Sequence, residues 1–92
     1  MTKAALVERV AAETQLSRRD AACAVEAVLA LIERELRGGG QVSLAGFGKF
    51  HTARRGARAG VHPRTGEPMT VGATTVPRFT AGSALKKAVR EL

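Results

Sequence analysis

The hydrophobic period of this chain changes at Gly38-Gly39-Gly40, and that change limits what it can fold into more than any other feature. Before the glycines, apolar residues recur every three or four positions, as on one face of a helix. After them Val42 and Leu44 alternate with Gln41 and Ser43, which is the period of a strand. Helices followed by strands make this an α+β chain.

Thr2 is a candidate N-cap for a first helix running to about Thr14, with Leu6, Val7, Val10 and Ala11 on one face. Ser17 can cap a second helix, with Asp20 favourably placed in its first turn. That helix is expected from about Arg18 to Arg37, where the glycines end it. Ala21, Val25, Val28, Leu29, Ile32 and Leu36 form one apolar stripe along it, and Cys23, Ala27 and Ala30 form a seam of small side chains on the opposite side. The simplest packing lays the first helix on the small-residue seam and leaves the stripe for a larger core, which a second chain could share. Cys23, alone among alanines, reads as a small hydrophobe rather than a nucleophile.

A second strand is expected from Lys49 to about Arg55, and a third between Met69 and Phe79, with Pro77 marking a bulge or an edge. The segment from Arg54 to Pro68 has almost no apolar bulk, so it cannot lie in an interior. Its Pro63-Arg64-Thr65-Gly66 suits a tight turn, because proline presets φ and glycine frees the last position. A protruding basic hairpin over about 54–68 is the expected result. A final short helix spans about Ser83 to Arg90, with Ala84, Leu85, Ala88 and Val89 apolar.

Charge is divided as sharply as period. Residues 1–46 carry six Lys or Arg and six Asp or Glu, whereas residues 47–92 carry nine bases and two acids, so the whole formal charge of +7 belongs to the second half. Such segregation points to a polyanionic partner. The single cysteine excludes an intrachain disulfide and a cysteine-based zinc site. A charge interrupts the first residues before any apolar run long enough for a signal peptide or membrane span, so a cytoplasmic protein is expected. The first helix also lacks the large apolar face of a membrane anchor.

No catalytic constellation is visible: there is no phosphate-cradling glycine loop, no Cys-His arrangement and no acidic pair in the basic half. His51 and His62 are eleven residues apart and form no recognisable metal pair. No enzyme activity, cofactor, metal or small-molecule substrate is expected. With three aromatic residues in the chain, Phe47, Phe50 and Phe79 are assigned to a core rather than to stacking on single-stranded bases.

Several separated motifs in order carry a resemblance. Gly46-Phe47-Gly48-Lys49-Phe50, the arm from Arg55 to Gly66, and Val76-Pro77-Arg78-Phe79 with Ala84-Leu85-Lys86 resemble the HU and integration host factor family of bacterial histone-like proteins, over essentially the whole chain without gaps. The resemblance implies an intertwined homodimer with an α-helical base, a three-stranded antiparallel β-saddle per chain, a long β-hairpin arm and a C-terminal helix. On that pattern residues 1–92 form one domain: 1–46 the dimerisation base and first strand, 47–81 the saddle and arm, 82–92 the last helix. The implied dimer core comprises Val28, Leu29, Ile32, Leu36, Leu44, Phe47, Phe50 and Phe79.

The implied partner is double-stranded DNA, bound and bent through the minor groove with little sequence preference in a nucleoid-associated role. Arg55 and Arg58 match arm arginines of the family, with Arg54 and Arg64 adding charge nearby. Pro63 matches the tip residue that family members wedge between base pairs. Lys3, Lys86, Lys87 and Arg90 are candidate phosphate contacts on the body. Val61, His62 and Ser83 depart from the family's usual Arg, Asn and Lys, which removes possible phosphate contacts and implies weaker binding. The alternative is a site-preferring bending factor of the integration host factor type, which reads deformability rather than base edges.

Overall fold

The computed structural model describes residues 1–56, 58–61 and 64–91, with the backbone alone described for residues 58, 59 and 69–71. The elements in order are α1 (Lys3–Thr14), α2 (Arg18–Arg37), β1 (Val42–Leu44), β2 (Gly48–Arg55), β3 (Arg58–Val61), β4 (Pro68–Val71), β5 (Thr74–Ala81) and α3 (Ser83–Arg90). They fall into two compact units, Met1–Glu35 and Leu36–Leu92.

In the first unit both helix starts are capped as their sequences require. The Ala5 N–H donates to Thr2 Oγ1 at 3.1 Å, and the Asp20 N–H donates to Ser17 Oγ at 3.0 Å. Gln15, at φ 60°, takes the left-handed conformation that ends α1. Val7 of α1 packs with Ala21 and Val25 of α2, and Val10, Ala11 and Ala22 are half-buried around them. Ion pairs between Lys3 and Glu26 and between Arg18 and Glu8 join the same two helices.

This corrects the packing expected from the sequence. The first helix lies on the start of the Val/Leu/Ile stripe, not on the Cys23, Ala27 and Ala30 seam, all three of which are exposed. The reason is area: covering Val25 removes more apolar surface from water than covering an alanine, and Ala21 is small enough for α1 to approach closely. Beyond Val25 the stripe is only partly covered, with Val28 and Leu29 exposed and Ile32 half-buried. An open apolar groove lined by Leu6, Val10, Ala24, Val25, Val28 and Leu29 follows from this arrangement.

The second unit is built on an antiparallel sheet in the order β1-β2-β5. Its register sets Val42 opposite Phe50, and Phe50 opposite Phe79. The rings of Phe50 and Phe79 lie 4.8 Å apart, and those of Phe47 and Phe79 lie 5.5 Å apart, so Phe79 joins all three aromatics. Gly48 is required here: a Cβ would lie 2.5 Å from Phe79 Cζ and 2.6 Å from the Thr80 carbonyl oxygen. Phe47 and Phe79 remain exposed along with Leu44, and Leu36 is half-buried.

The single third strand expected between Met69 and Phe79 is instead two. β4 and β5 are separated by Gly72 and Ala73, and β5 continues to Ala81. β4 pairs with β3 in a separate two-stranded hairpin, with Arg58 opposite Val71 and Val61 opposite Pro68. A glycine at this level weakens the strand, and the ladder stops on both sides of it. Pro77 lies on β5, an edge of the three-stranded order, where a residue without an N–H is tolerated. After Ala81, the Gly82 N–H donates to the Phe47 carbonyl at 2.8 Å, and α3 begins at the next residue.

Candidate nucleic-acid interface

Directly opposed residues of an antiparallel pair share a face of the sheet. The register therefore puts Phe50, Phe79, Val42, Leu44, Thr52 and Pro77 on one face of β1-β2-β5, and Lys49, His51, Arg55, Arg78, Thr80 and Ser43 on the other. The first face is aromatic and apolar. The second carries three permanent cations, and no strand of this sheet contains an acidic residue.

On the cationic face His51 Nε2 and Thr80 Oγ1 are hydrogen-bonded at 2.8 Å, a diagonal contact between β2 and β5. His51 is half-buried, and Arg55 and Arg78 are exposed. The opposed pair Ala53 and Val76 shares this face, and the cations around it suit the spaced negative charges of a phosphate backbone.

The site residues expected from sequence are spread over several elements. Arg55 belongs to the cationic face, whereas Arg54, one position earlier, alternates onto the phenylalanine side at the end of β2. Arg58 begins β3 of the hairpin. Arg64 lies exposed in the turn, followed by Gly66 at φ 73°. Pro63 and His62 lie outside the described residues. Lys86, Lys87 and Arg90 are exposed on α3, the last two in its final turn, where cations also complement the helix dipole. Lys3 belongs to the first unit and is engaged with Glu26.

Sequence reasoning passed over Lys49, Arg78, His51 and Thr80 as site residues. Their signal was present: Lys49, His51 and Arg55 recur at even spacing along β2, and Arg78 and Thr80 along β5. It becomes readable only when the register shows that the two series share a face.

Among the described residues no group of three or more His, Cys, Asp and Glu side chains could hold a metal ion. No helix among them is long and apolar enough to cross a membrane.

Residues 1–90 match the family described as bacterial DNA-binding protein. The chain is similar to DNA-binding protein HU of Streptococcus thermophilus, 48% identical over 92% of this chain and 93% of that protein. It is also similar to DNA-binding protein HRm of Rhizobium meliloti, 47% identical over 97% and 99% of the two chains. Among solved structures, the HU–DNA cocrystal structure from Anabaena superposes with a TM-score of 0.93 at 37% identity, over 97% of each chain. A full-length family match, agreement in fold and a cationic strand face lead to one conclusion: the chain belongs to the HU family of bacterial DNA-binding proteins.

Proposed function

We propose that this chain is an architectural protein that binds and bends duplex DNA as a homodimer. The observation that carries the reading is its full-length likeness to a chain crystallised with DNA, at a TM-score of 0.93. Arg54, Arg55, Arg58 and Arg64 of the arm supply charge to the minor groove, and Pro63 is the wedge that unstacks a base step. Lys86, Lys87, Arg90 and Lys3 contact flanking phosphates, and Lys49 and Arg78 extend the phosphate-binding surface across the sheet. The exposed Val28 and Leu29 and the half-buried Ile32 and Leu36, with Leu44, Phe47, Phe50 and Phe79, form the shared core with a second copy. The role is non-enzymatic and belongs to the nucleoid in the cytoplasm.

Charge on phosphates gives affinity without sequence information, so binding is broad in sequence and steep in salt. The test is duplex affinity across a salt series, on random and on selected sequences, with the bend read by energy transfer between dyes at the duplex ends. Affinity should fall by about 0.9 log units per log unit of salt for each phosphate contact. Pro63→Ala should reduce the bend while leaving most of the salt-dependent attraction. Affinity indifferent to salt would defeat the reading, and a preference of several orders of magnitude for one sequence would favour a site-selective factor.

A further inference from the structure

We infer that His51 is a proton-controlled phosphate contact, set among Lys49, Arg55 and Arg78 on the cationic sheet face, so that duplex binding takes up protons and tightens as pH falls. This rests on the DNA-binding reading above and adds a regulator to the same surface.

The placement carries the inference. Lys49 precedes His51 by two residues along β2 on the same face, Arg55 follows it by four beyond Ala53, and Arg78 lies directly opposite it on β5. Thr80, its hydrogen-bond partner, is uncharged, as is Ser43 of β1, opposite Lys49. At the edge of the sheet His51 lines a cleft of about 220 Å³ with Gly39, Gly40, Gln41 and Thr52, none of them charged. No carboxylate from these elements faces the ring, so an imidazolium here has no acidic partner within the sheet. A phosphate laid across Lys49 and Arg78 would supply the missing anion.

The bond to Thr80 does not block protonation. A hydroxyl both donates and accepts, so Thr80 can donate to a neutral Nε2 and, after the ring gains a proton, accept from the Nε2–H by rotating about its own C–O bond. Histidine is the side chain that ordinarily changes charge between about pH 5 and 8. An anion beside the ring favours its charged form, so the DNA complex holds more protons than its separated components. By linkage, a complex that holds more protons is favoured as pH falls and weakened as pH rises.

The test uses the full chain carrying His62→Gln, which removes the other histidine, and compares it with the same chain also carrying His51→Gln or His51→Lys. Affinity for a random duplex is measured at constant ionic strength from pH 8.0 to 5.5, with circular dichroism confirming the fold of each protein. The chain with His51 should gain about two- to five-fold more affinity per protomer on acidification than His51→Gln. Its log–log salt slope should steepen by about 0.9 per engaged histidine. His51→Lys, charged throughout, should bind at pH 8.0 as the His51 chain does at pH 5.5, with a flatter profile. Equal pH dependence in the His51 and His51→Gln chains, both binding DNA, would overturn this inference alone. Absence of duplex binding at every pH would overturn the DNA-binding reading and this inference with it.

Discussion

The two units of this chain use charge in opposite ways. In Met1–Glu35 cations meet carboxylates across the helix pair, as Lys3 does Glu26 and Arg18 does Glu8. In the sheet of Leu36–Leu92 three of the four cations, Lys49, Arg55 and Arg78, share a face that contains no acid at all. Internal pairing satisfies a surface within one molecule, whereas an unmatched cationic face leaves its charge for an external anion. The apolar residues show a parallel contrast. The helical unit buries Val7, Ala21 and Val25, but the sheet unit leaves its largest aromatic cluster half open. One unit has a small core of its own, and the other leaves an aromatic face and a cationic face open.

The strongest way to break this contrast is to remove the residue that joins the open aromatic cluster. Phe79→Ala should cost about 3–5 kcal/mol if a second copy covers that face, with unfolding midpoints that rise with protein concentration in the parent. Urea unfolding at several protein concentrations measures both. A loss within about 0.5 kcal/mol would mean that the face stays solvated.

The cationic face is tested next. Lys49→Ala with Arg78→Ala should make the salt dependence of duplex binding shallower by about 0.9 log units for each phosphate that no longer has a cation against it. The matching pair in the helical unit, Arg9→Ala with Arg19→Ala, should leave that slope nearly unchanged. Equal effects from the two pairs would erase the distinction between the units.

The smallest effect belongs to the exposed ion pairs. Glu26→Gln should lower stability by no more than about 1 kcal/mol, because both partners are more than half exposed and are screened by solvent and salt. Thermal unfolding at low and high salt would show it, and the difference from the parent should shrink as salt rises.

Much of this architecture can be read before any coordinates. Thr2, Ser17 and the three glycines mark the ends of α1 and α2, because capping and termination are local events with local chemistry. Which side of α2 receives α1 is not local. The seam of Cys23, Ala27 and Ala30 lies between Arg19 and Arg34 on its side of the helix but still offers small side chains, and periodicity identifies an apolar face without naming its partner, so packing decides between the seam and the Ala21–Val25 stripe. The division of β4 from β5 at Gly72 is hidden for a similar reason: a Thr- and Val-rich run has strand propensity on both sides of the glycine, and pairing decides where a ladder stops. The arm arginines were legible from the family motif. Lys49 and Arg78 were not, since they become neighbours only through a register that sets His51 opposite Arg78.

The interruption between sheet and hairpin has a mechanical consequence. The last ladder pair of the sheet is Arg55 with Thr74, and the first of the hairpin is Arg58 with Val71. Gly56 lies in the gap on one strand and Gly72 on the other, and a Cβ added at either would meet nothing within 4 Å. A rotation at these two glycines would break no ladder bond of the sheet or of the hairpin. The hairpin would then change its angle while the register of the platform stayed as it is.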